Sequence, residues 1–220
     1  MKPVVVIPAY NESRYIAAVV SGVRDHVGCV VVVDDGSSDG TAAEAAGAGA
    51  VVLRRPHAGK GAALREGFAW ALRNGFDWVL TIDGDGQHHA GDMPAFLDAA
   101  SSGRFDMIVG SRMGDTSRMP FVRLVTNRVM SFVIRRLTGL DLADSQCGFR
   151  AVSATVLAAV TLETSNYDTE SELIIKAARR GFSIGSVPVR TIYNGSRSYI
   201  NKMRDTARFV RLVWRSLGGG

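Results

Sequence analysis

The chain has 220 residues, 46% of them hydrophobic, and a formal charge of +5, which is length and apolar content enough for one large domain with a full core. No apolar run reaches the roughly 18 to 20 residues that cross a bilayer, and Cys29 and Cys147 lie far apart with no metal-type spacing. A membrane-spanning bundle, a disulfide scaffold and a thiolate zinc site are thereby excluded, and a single cytoplasmic domain with reduced thiols is expected. The charge excess sits in one place. Arg197, Lys202, Arg204, Arg208, Arg211 and Arg215 are opposed only by Asp205, and the remaining residues are neutral in sum.

Val4-Val5-Val6-Ile7 reads as a buried strand, broken by Pro8-Ala9-Tyr10-Asn11-Glu12 before a helical pattern over 13–26. Val30-Val31-Val32-Val33 is the second strand and runs into Asp34-Asp35-Gly36-Ser37-Ser38-Asp39-Gly40, where Asp34 is read as a cap of the Ser-rich loop. Thr41 and Glu44 have the spacing of a capping box, so an Ala-rich helix is predicted to start there. A third short strand, 51–53, leads through Gly59-Lys60-Gly61 to a helix over 62–74. The fourth strand, 78–82, ends at Asp83-Gly84-Asp85-Gly86-Gln87-His88. Asp92 then stands as a helix cap with Pro94 in the first turn, and a fifth strand, 107–109, runs into Gly110-Ser111-Arg112.

Strands alternating with helices predict a mostly parallel central sheet with helices on both faces. The second half is less regular. It reads as a helix over 121–137 rich in both Arg and large apolar residues, a loop over 141–150, helices near 153–160 and 169–180, an extended stretch over 184–193, and a basic amphipathic helix over about 200–217. One domain spanning 1–220 is expected, with no internal repeat or linker.

Each loop alone is weak, but together they place Tyr10, Glu12, Asp34, Asp35, Lys60, Asp83, Asp85 and Arg112 at the C-terminal ends of successive strands, where open α/β sheets bind ligands. Acids that hold a base, ribose or metal, with cations that hold phosphates, suit a metal-bound nucleotide. The paired Asp83 and Asp85 with the Gln87 amide oxygen form a hard-oxygen set suited to Mg²⁺ or Mn²⁺. His88 and His89 have neither a thiolate nor a His-x-x-x-His spacing for zinc. No dinucleotide glycine fingerprint and no phosphate-loop motif is present.

In this order, Ile7-Pro8-Ala9-Tyr10-Asn11-Glu12, Val33-Asp34-Asp35-Gly36-Ser37-Ser38-Asp39-Gly40-Thr41, Gly59-Lys60-Gly61, Asp83-Gly84-Asp85-Gly86-Gln87-His88, Gly110-Ser111-Arg112 and Asp144-Ser145-Gln146-Cys147-Gly148-Phe149-Arg150 resemble glycosyltransferase family 2. More narrowly, the chain is similar to the dolichol-phosphate mannose synthase and polyprenyl-phosphate glycosyltransferase branch, over essentially residues 3 to 210. The resemblance implies the GT-A fold, a nucleotide-sugar donor of the GDP-mannose or UDP-glucose type, Mg²⁺ or Mn²⁺, and a polyprenyl phosphate acceptor. It implies that Pro8, Tyr10, Glu12 and Asp35 surround the base and ribose and that Asp83 faces the ribose and sugar. It puts the metal on Asp85 and Gln87, Arg112 on phosphate, and Asp144, Arg150 and Arg123 on the acceptor side. Lys60 is read either as a donor contact or as a solvated helix start. Glu170 and Glu172 match an acidic pair of the branch, and favourable placement at a helix N-terminus is the other reading. Arg197, within Asn194-Gly195-Ser196-Arg197, stands where some mannose synthases have Lys, which leaves the sugar open.

A polyprenyl phosphate is largely a dianion at neutral pH and needs no strong base. A sugar hydroxyl would need one, with Asp144 as the candidate, unless Asp144 only shapes its loop. The basic apolar helices suit an anionic membrane, so peripheral attachment on the cytoplasmic face is expected. The alternatives are a soluble or polysaccharide hydroxyl acceptor, and more distantly a nucleotidyltransferase, which should carry a Gly-rich basic first loop. A phosphorylation-switched receiver leaves the second half unused, and the intact acidic cluster argues against an inactive binding protein.

Overall fold

A computed structural model describes residues 1–117, 119–192, 208–214 and 216. Seven strands form one sheet in the order β3-β2-β1-β4-β6-β5-β7. They are β1 (Pro3–Ala9), β2 (Val30–Asp34), β3 (Val51–Arg54), β4 (Trp78–Thr81), β5 (Met107–Ser111), β6 (Arg150–Ser153) and β7 (Ile184–Pro188). The helices are α1 (Ile16–Arg24), α2 (Thr41–Gly47), α3 (Lys60–Arg73), α4 (Met93–Ser101), α5 (Phe121–Thr138), α6 (Ala154–Ala159) and α7 (Thr169–Arg179).

Strands β1 to β4 pair in parallel, as do β5 and β7. Only β6 runs against its neighbours β4 and β5. Every residue of β2 and β6, and all but the first of β1, is buried. A strand buried on alternate residues of both sides needs cover on both faces, and the helices supply it. The expected α/β fold and mostly parallel sheet are found, with β6 as an unforeseen antiparallel member inside what read as a loop and short helix.

The connectivity fixes where a ligand can lie. From β1 the chain winds outward through β2 and β3, then returns to place β4 on the other flank of β1. The crevice outside the carboxyl ends of β1 and β4 is therefore a topological switch point. Because β6 is antiparallel, its first residue, Arg150, pairs with Thr81 at that same edge. The 144–149 loop is delivered to the crevice by this one reversal.

Helix α3 presses closely on the sheet because Gly67 has no side chain. A Cβ there would lie 2.3 Å from Val6 Cγ1 and 3.3 Å from Val33 Cγ2. Gly67→Ala is expected to destabilise the fold by about 1–2 kcal/mol, since overpacking outweighs the roughly 1 kcal/mol gain in helix propensity. A lower urea midpoint at unchanged slope checks this.

Two local expectations fail for a shared reason. Thr41 opens α2 but does not cap it: Gly40 holds the N-cap position, and the Thr41 backbone N–H donates to Asp39 Oδ1 at 3.0 Å. The Thr41 hydroxyl instead accepts from the Glu12 backbone N–H at 2.8 Å. Asp92 occupies the N-cap position of α4 without capping it, because its carboxylate accepts from the Arg190 backbone N–H and Nε, both at 2.7 Å. In both, a distant donor outcompetes the local one.

Candidate active site

The loop after β1 is stitched to the loop after β2. Asn11 takes the left-handed conformation at φ 55°, and its Oδ1 accepts from the Ser38 N–H at 2.9 Å while its own N–H donates to Ser37 Oγ. Asp34 caps the Ser37 N–H at 3.0 Å, as read from the sequence. Asp35 is 2% exposed. Its carboxylate accepts from the Ala58 and Gly59 N–H groups at 3.1 and 2.8 Å and lies 3.2 Å from Arg55 Nε and 2.9 Å from His57 Nδ1. Asp35 thus anchors the loop after β3. That loop contributes a residue the sequence reading passed over: the His57 ring lies 4.2 Å from the Tyr10 ring, tilted by 32°. Its signal was the basic, aromatic run Arg54-Arg55-Pro56-His57 at a strand end. Pro8, within β1, pairs with Val33 beneath these loops.

Across the crevice, β4 delivers the acids. Asp83 lies 2.6 Å from Lys60 Nζ and 3.5 Å from His88 Nε2. Burial alone would raise its pKa, but Lys60 and His88 overcome this and hold the carboxyl well below the usual range. Asp85 accepts from the Gln87 N–H at 2.9 Å. Its carboxyl is pushed up, first by burial and then by the Asp83 charge. The Gln87 amide oxygen accepts from Arg123 Nη1, 3.2 Å away on α5. The Gln87 carbonyl accepts from the Ile192 N–H at 2.8 Å, and His88 bridges Thr191, so the chain after β7 braces this loop.

Glu12 reports the resulting field. Burial, then Asp85, Asp83 and Asp39, push its carboxyl up to about 7. The carboxylates of Glu12, Asp83 and Asp85 therefore lie close enough to repel one another, which fits a divalent ion on Asp85 and Gln87. Among the described residues, no three His, Cys, Asp or Glu side chains form a complete cage. A small protein donor set completed by diphosphate oxygens and water is the ordinary Mg²⁺ arrangement.

Glu12 also gives the protein a pH dependence. Its folded pKa lies above the ordinary carboxylate value of 4.5, so the folded state keeps a proton that the unfolded state releases. That stabilisation is full below about pH 4.5 and is lost as pH rises through about 7. Glu12→Gln is expected to remove the decline, so the variant gains on the wild type between pH 5 and pH 8. Urea unfolding in chelator-treated buffer measures it, and parallel pH profiles would contradict it.

Arg112 follows β5 and grips Asp144 with Nε–Oδ2 2.7 Å and Nη2–Oδ1 3.0 Å, and its backbone N–H donates to the same carboxylate at 3.2 Å. Asp144 also accepts from the Gln146 N–H at 3.1 Å. Burial would raise its pKa, and Arg112 more than reverses that. Arg150, expected toward an acceptor, is 1% exposed, with Nε on the Cys147 carbonyl, Nη1 on that of Glu170 and Nη2 on that of Ser145, at 2.6 to 2.9 Å. Three backbone carbonyls hold the guanidinium inside the protein, where it shapes the 144–149 loop. Cys147, pushed up to about 12 by burial, is an inert core thiol. Glu172 closes the 163–164 turn, accepting from both N–H groups at 3.0 to 3.1 Å. Arg197 lies outside the described residues.

The structure thus gathers Glu12, Lys60, Asp83, Asp85, Gln87, Arg112 and Arg123 around one crevice, and leaves Asp35, Asp144 and Arg150 to hold its loops. Beside it, α5 carries Arg123, Arg128, Arg135 and Arg136 and no acid. It exposes Phe121, Val122, Val125, Val129 and Phe132, the two phenylalanines by 76% and 58%. Of the expected C-terminal helix, 208–214 is described and is helical, with Phe209 and Leu212 buried and Val210 and Trp214 exposed. No described helix is long and apolar enough to cross a membrane.

The family model for glycosyl transferase family 2 matches residues 4–161. A polyprenol monophosphomannose synthase of Mycolicibacterium smegmatis is 35% identical over 86% of this chain and 76% of its own length. A UDP-N-acetylglucosamine–dolichyl-phosphate N-acetylglucosaminyltransferase of Methanococcus voltae is 31% identical over 97% of this chain and 95% of its own. Among solved structures, the glucosyl-3-phosphoglycerate synthase of Mycobacterium tuberculosis with phosphoglyceric acid superposes at a TM-score of 0.79 with 21% identity, over 99% of this chain and 80% of that one. The same enzyme has also been crystallised with Mn²⁺ and uridine diphosphate.

Proposed function

This chain belongs to glycosyl transferase family 2, and from that premise we propose that it transfers a hexosyl group, with inversion, from a nucleoside-diphosphate sugar to a polyprenyl phosphate at an anionic membrane surface. The observation that carries the reading is the crevice at β1 and β4, where Glu12, Asp83 and Asp85 concentrate negative charge opposite Arg112 and Arg123. Tyr10 and His57 offer the flat surfaces a base would stack on. Asp83, held ionised, accepts hydrogen bonds from hydroxyls of the donor sugar. Arg112 supplies fixed positive charge where the diphosphate leaves. Asp85 and Gln87 hold the divalent cation, which when bound adds Lewis acidity against that same charge. Arg123 reaches the crevice from the outer helix and orients the acceptor phosphate.

The acceptor is the finer question, and Asp144 bears on it. A hydroxyl nucleophile needs a base, yet the candidate carboxylate is fully engaged by Arg112 and Gln146 and has its proton affinity lowered. A phosphate dianion makes no such demand. The names of the relatives agree, since several act on polyprenyl or dolichyl phosphates.

The experiment is a panel of UDP- and GDP-sugars with a polyprenyl phosphate, with and without Mn²⁺ or Mg²⁺. One donor is expected to label the organic phase only when metal is present. Labelling of water-soluble products alone would move the acceptor to a hydroxyl compound.

The outer face of α5 supports membrane attachment, because an apolar stripe edged by arginines, on a helix with no acid of its own, suits an anionic interface. Val129→Ser with Phe132→Ser is expected to weaken binding to phosphatidylglycerol vesicles about tenfold, read by flotation. Unchanged flotation would contradict a membrane role for this face.

A further inference from the structure

We infer that Lys60 and Glu170 are positioning residues for Asp83, and that Lys60 acts through that carboxylate rather than on the diphosphate; the inference rests on the nucleotide-sugar reading above. The Lys60 ammonium lies 2.6 Å from Asp83 Oδ1 and 3.2 Å from Glu170 Oε1, with the three side chains 16%, 28% and 10% exposed. The Tyr167 ring centroid is 5.6 Å away. A lysine closed between two carboxylates and an aromatic ring is committed to them.

The surroundings are built to bring these groups together. Lys60 opens α3 and Glu170 lies in the first turn of α7, 110 residues apart in the chain. Their helix starts dock because the flanking positions are glycine. A Cβ on Gly61 would lie 1.9 Å from Thr169 Oγ1, and one on Gly59 would lie 2.5 Å from the Ser165 carbonyl oxygen. Arg65 bolts the same segment down, with Nη1 donating to the Glu163 carbonyl at 2.9 Å and Nη2 to Ser165 Oγ at 3.1 Å. The Glu170 carbonyl is held by Arg150. On its far side Asp83 lies against Gly148, where a Cβ would fall 2.5 and 2.7 Å from the two carboxylate oxygens. The motif glycines at 59, 61 and 148 therefore serve one end: they seat Asp83 between Lys60 and the 144–149 loop. Glu170 offsets the lysine charge, so that Asp83 keeps its negative charge toward the sugar.

The test separates positioning from phosphate contact. Lys60→Met with Glu170→Gln removes one charge of each sign, so that Glu170 is not left facing an uncharged side chain, while Asp83 keeps His88 at 3.5 Å. Isothermal titration of UDP and of GDP, each with Mn²⁺, is expected to give wild-type affinity within about threefold, because the sugarless ligand does not use Asp83. The kcat for sugar transfer is expected to fall about 30- to 100-fold, as for a misplaced catalytic group. In an Asp83→Asn background the same double change is expected to cost less than about threefold, since its target is already gone. Glu170→Gln alone, which keeps an oxygen against the ammonium, retains most turnover, whereas Glu170→Ala loses it. A loss of UDP or GDP affinity of tenfold or more, or an undiminished cost in the Asp83→Asn background, overturns the inference. If the wild type binds neither nucleoside diphosphate, the nucleotide-sugar reading itself fails and the inference falls with it.

Discussion

Asp85→Ala is expected to lower sugar transfer by about 10³-fold, the scale on which removal of an electrostatic stabiliser of a leaving group is felt. The effect should lie in kcat more than in folding. Asp85 is held up in pKa by burial and by Asp83, so deleting it relieves repulsion among the crevice carboxylates and should leave the melting temperature unchanged or raised. Glu12 should respond as well, because Asp85 is the largest of the charges that raise its pKa; in the variant that carboxyl moves back toward the ordinary range. Turnover within tenfold of the wild type, or a collapsed fold, would place the metal elsewhere.

Asp144→Ala should do the reverse, acting first on stability. Its carboxylate is the bidentate partner of Arg112 and is 2% exposed. Removing one member of a buried pair leaves the other charge uncompensated, at about 3–5 kcal/mol. For a chain of this size that lowers the melting temperature by about 10 °C. The pH dependence has a definite sign. The folded pKa of Asp144 is depressed, so its contribution is present above the unfolded carboxylate value and is lost as pH falls through the folded one. The variant should therefore have a flatter acid limb than the wild type. Asp144→Asn, which keeps one acceptor oxygen for Arg112, should recover part of the stability and, with a phosphate acceptor, part of the turnover. Full stability with abolished turnover in that variant would favour a base instead.

The first four strands were legible because each is a run of β-branched and apolar residues closed by a polar, turn-forming loop, although β3 is only partly buried. Strand β6 was not. Arg150-Ala151-Val152-Ser153 is four residues long, begins with a charge and joins the sheet only because β4 and β5 flank it. The acids of the crevice could be read from their position at strand ends, but their partners could not. Glu170 was visible only as one of two glutamates at a helix start, whereas its meaning comes from Lys60, 110 residues earlier. Thr41 and Asp92 carried local capping signals that tertiary donors overrode. Arg150 was put on the acceptor side by its place in the Asp144 to Arg150 motif, which does not show where its guanidinium is held. Its three carbonyl partners are within the loop itself and at Glu170. Sequence gave the chemistry of the crevice more readily than the wiring that aims it.

The most direct test of the account is a competition at single turnover, with labelled donor and metal given to equal amounts of a polyprenyl phosphate and the corresponding polyprenol. A phosphate dianion that needs no base should take all of the label, and the ratio should hold as pH rises from neutrality. Label on the free alcohol, or in water-soluble products with neither lipid labelled, would contradict the phosphate nucleophile and return Asp144 to the role of base.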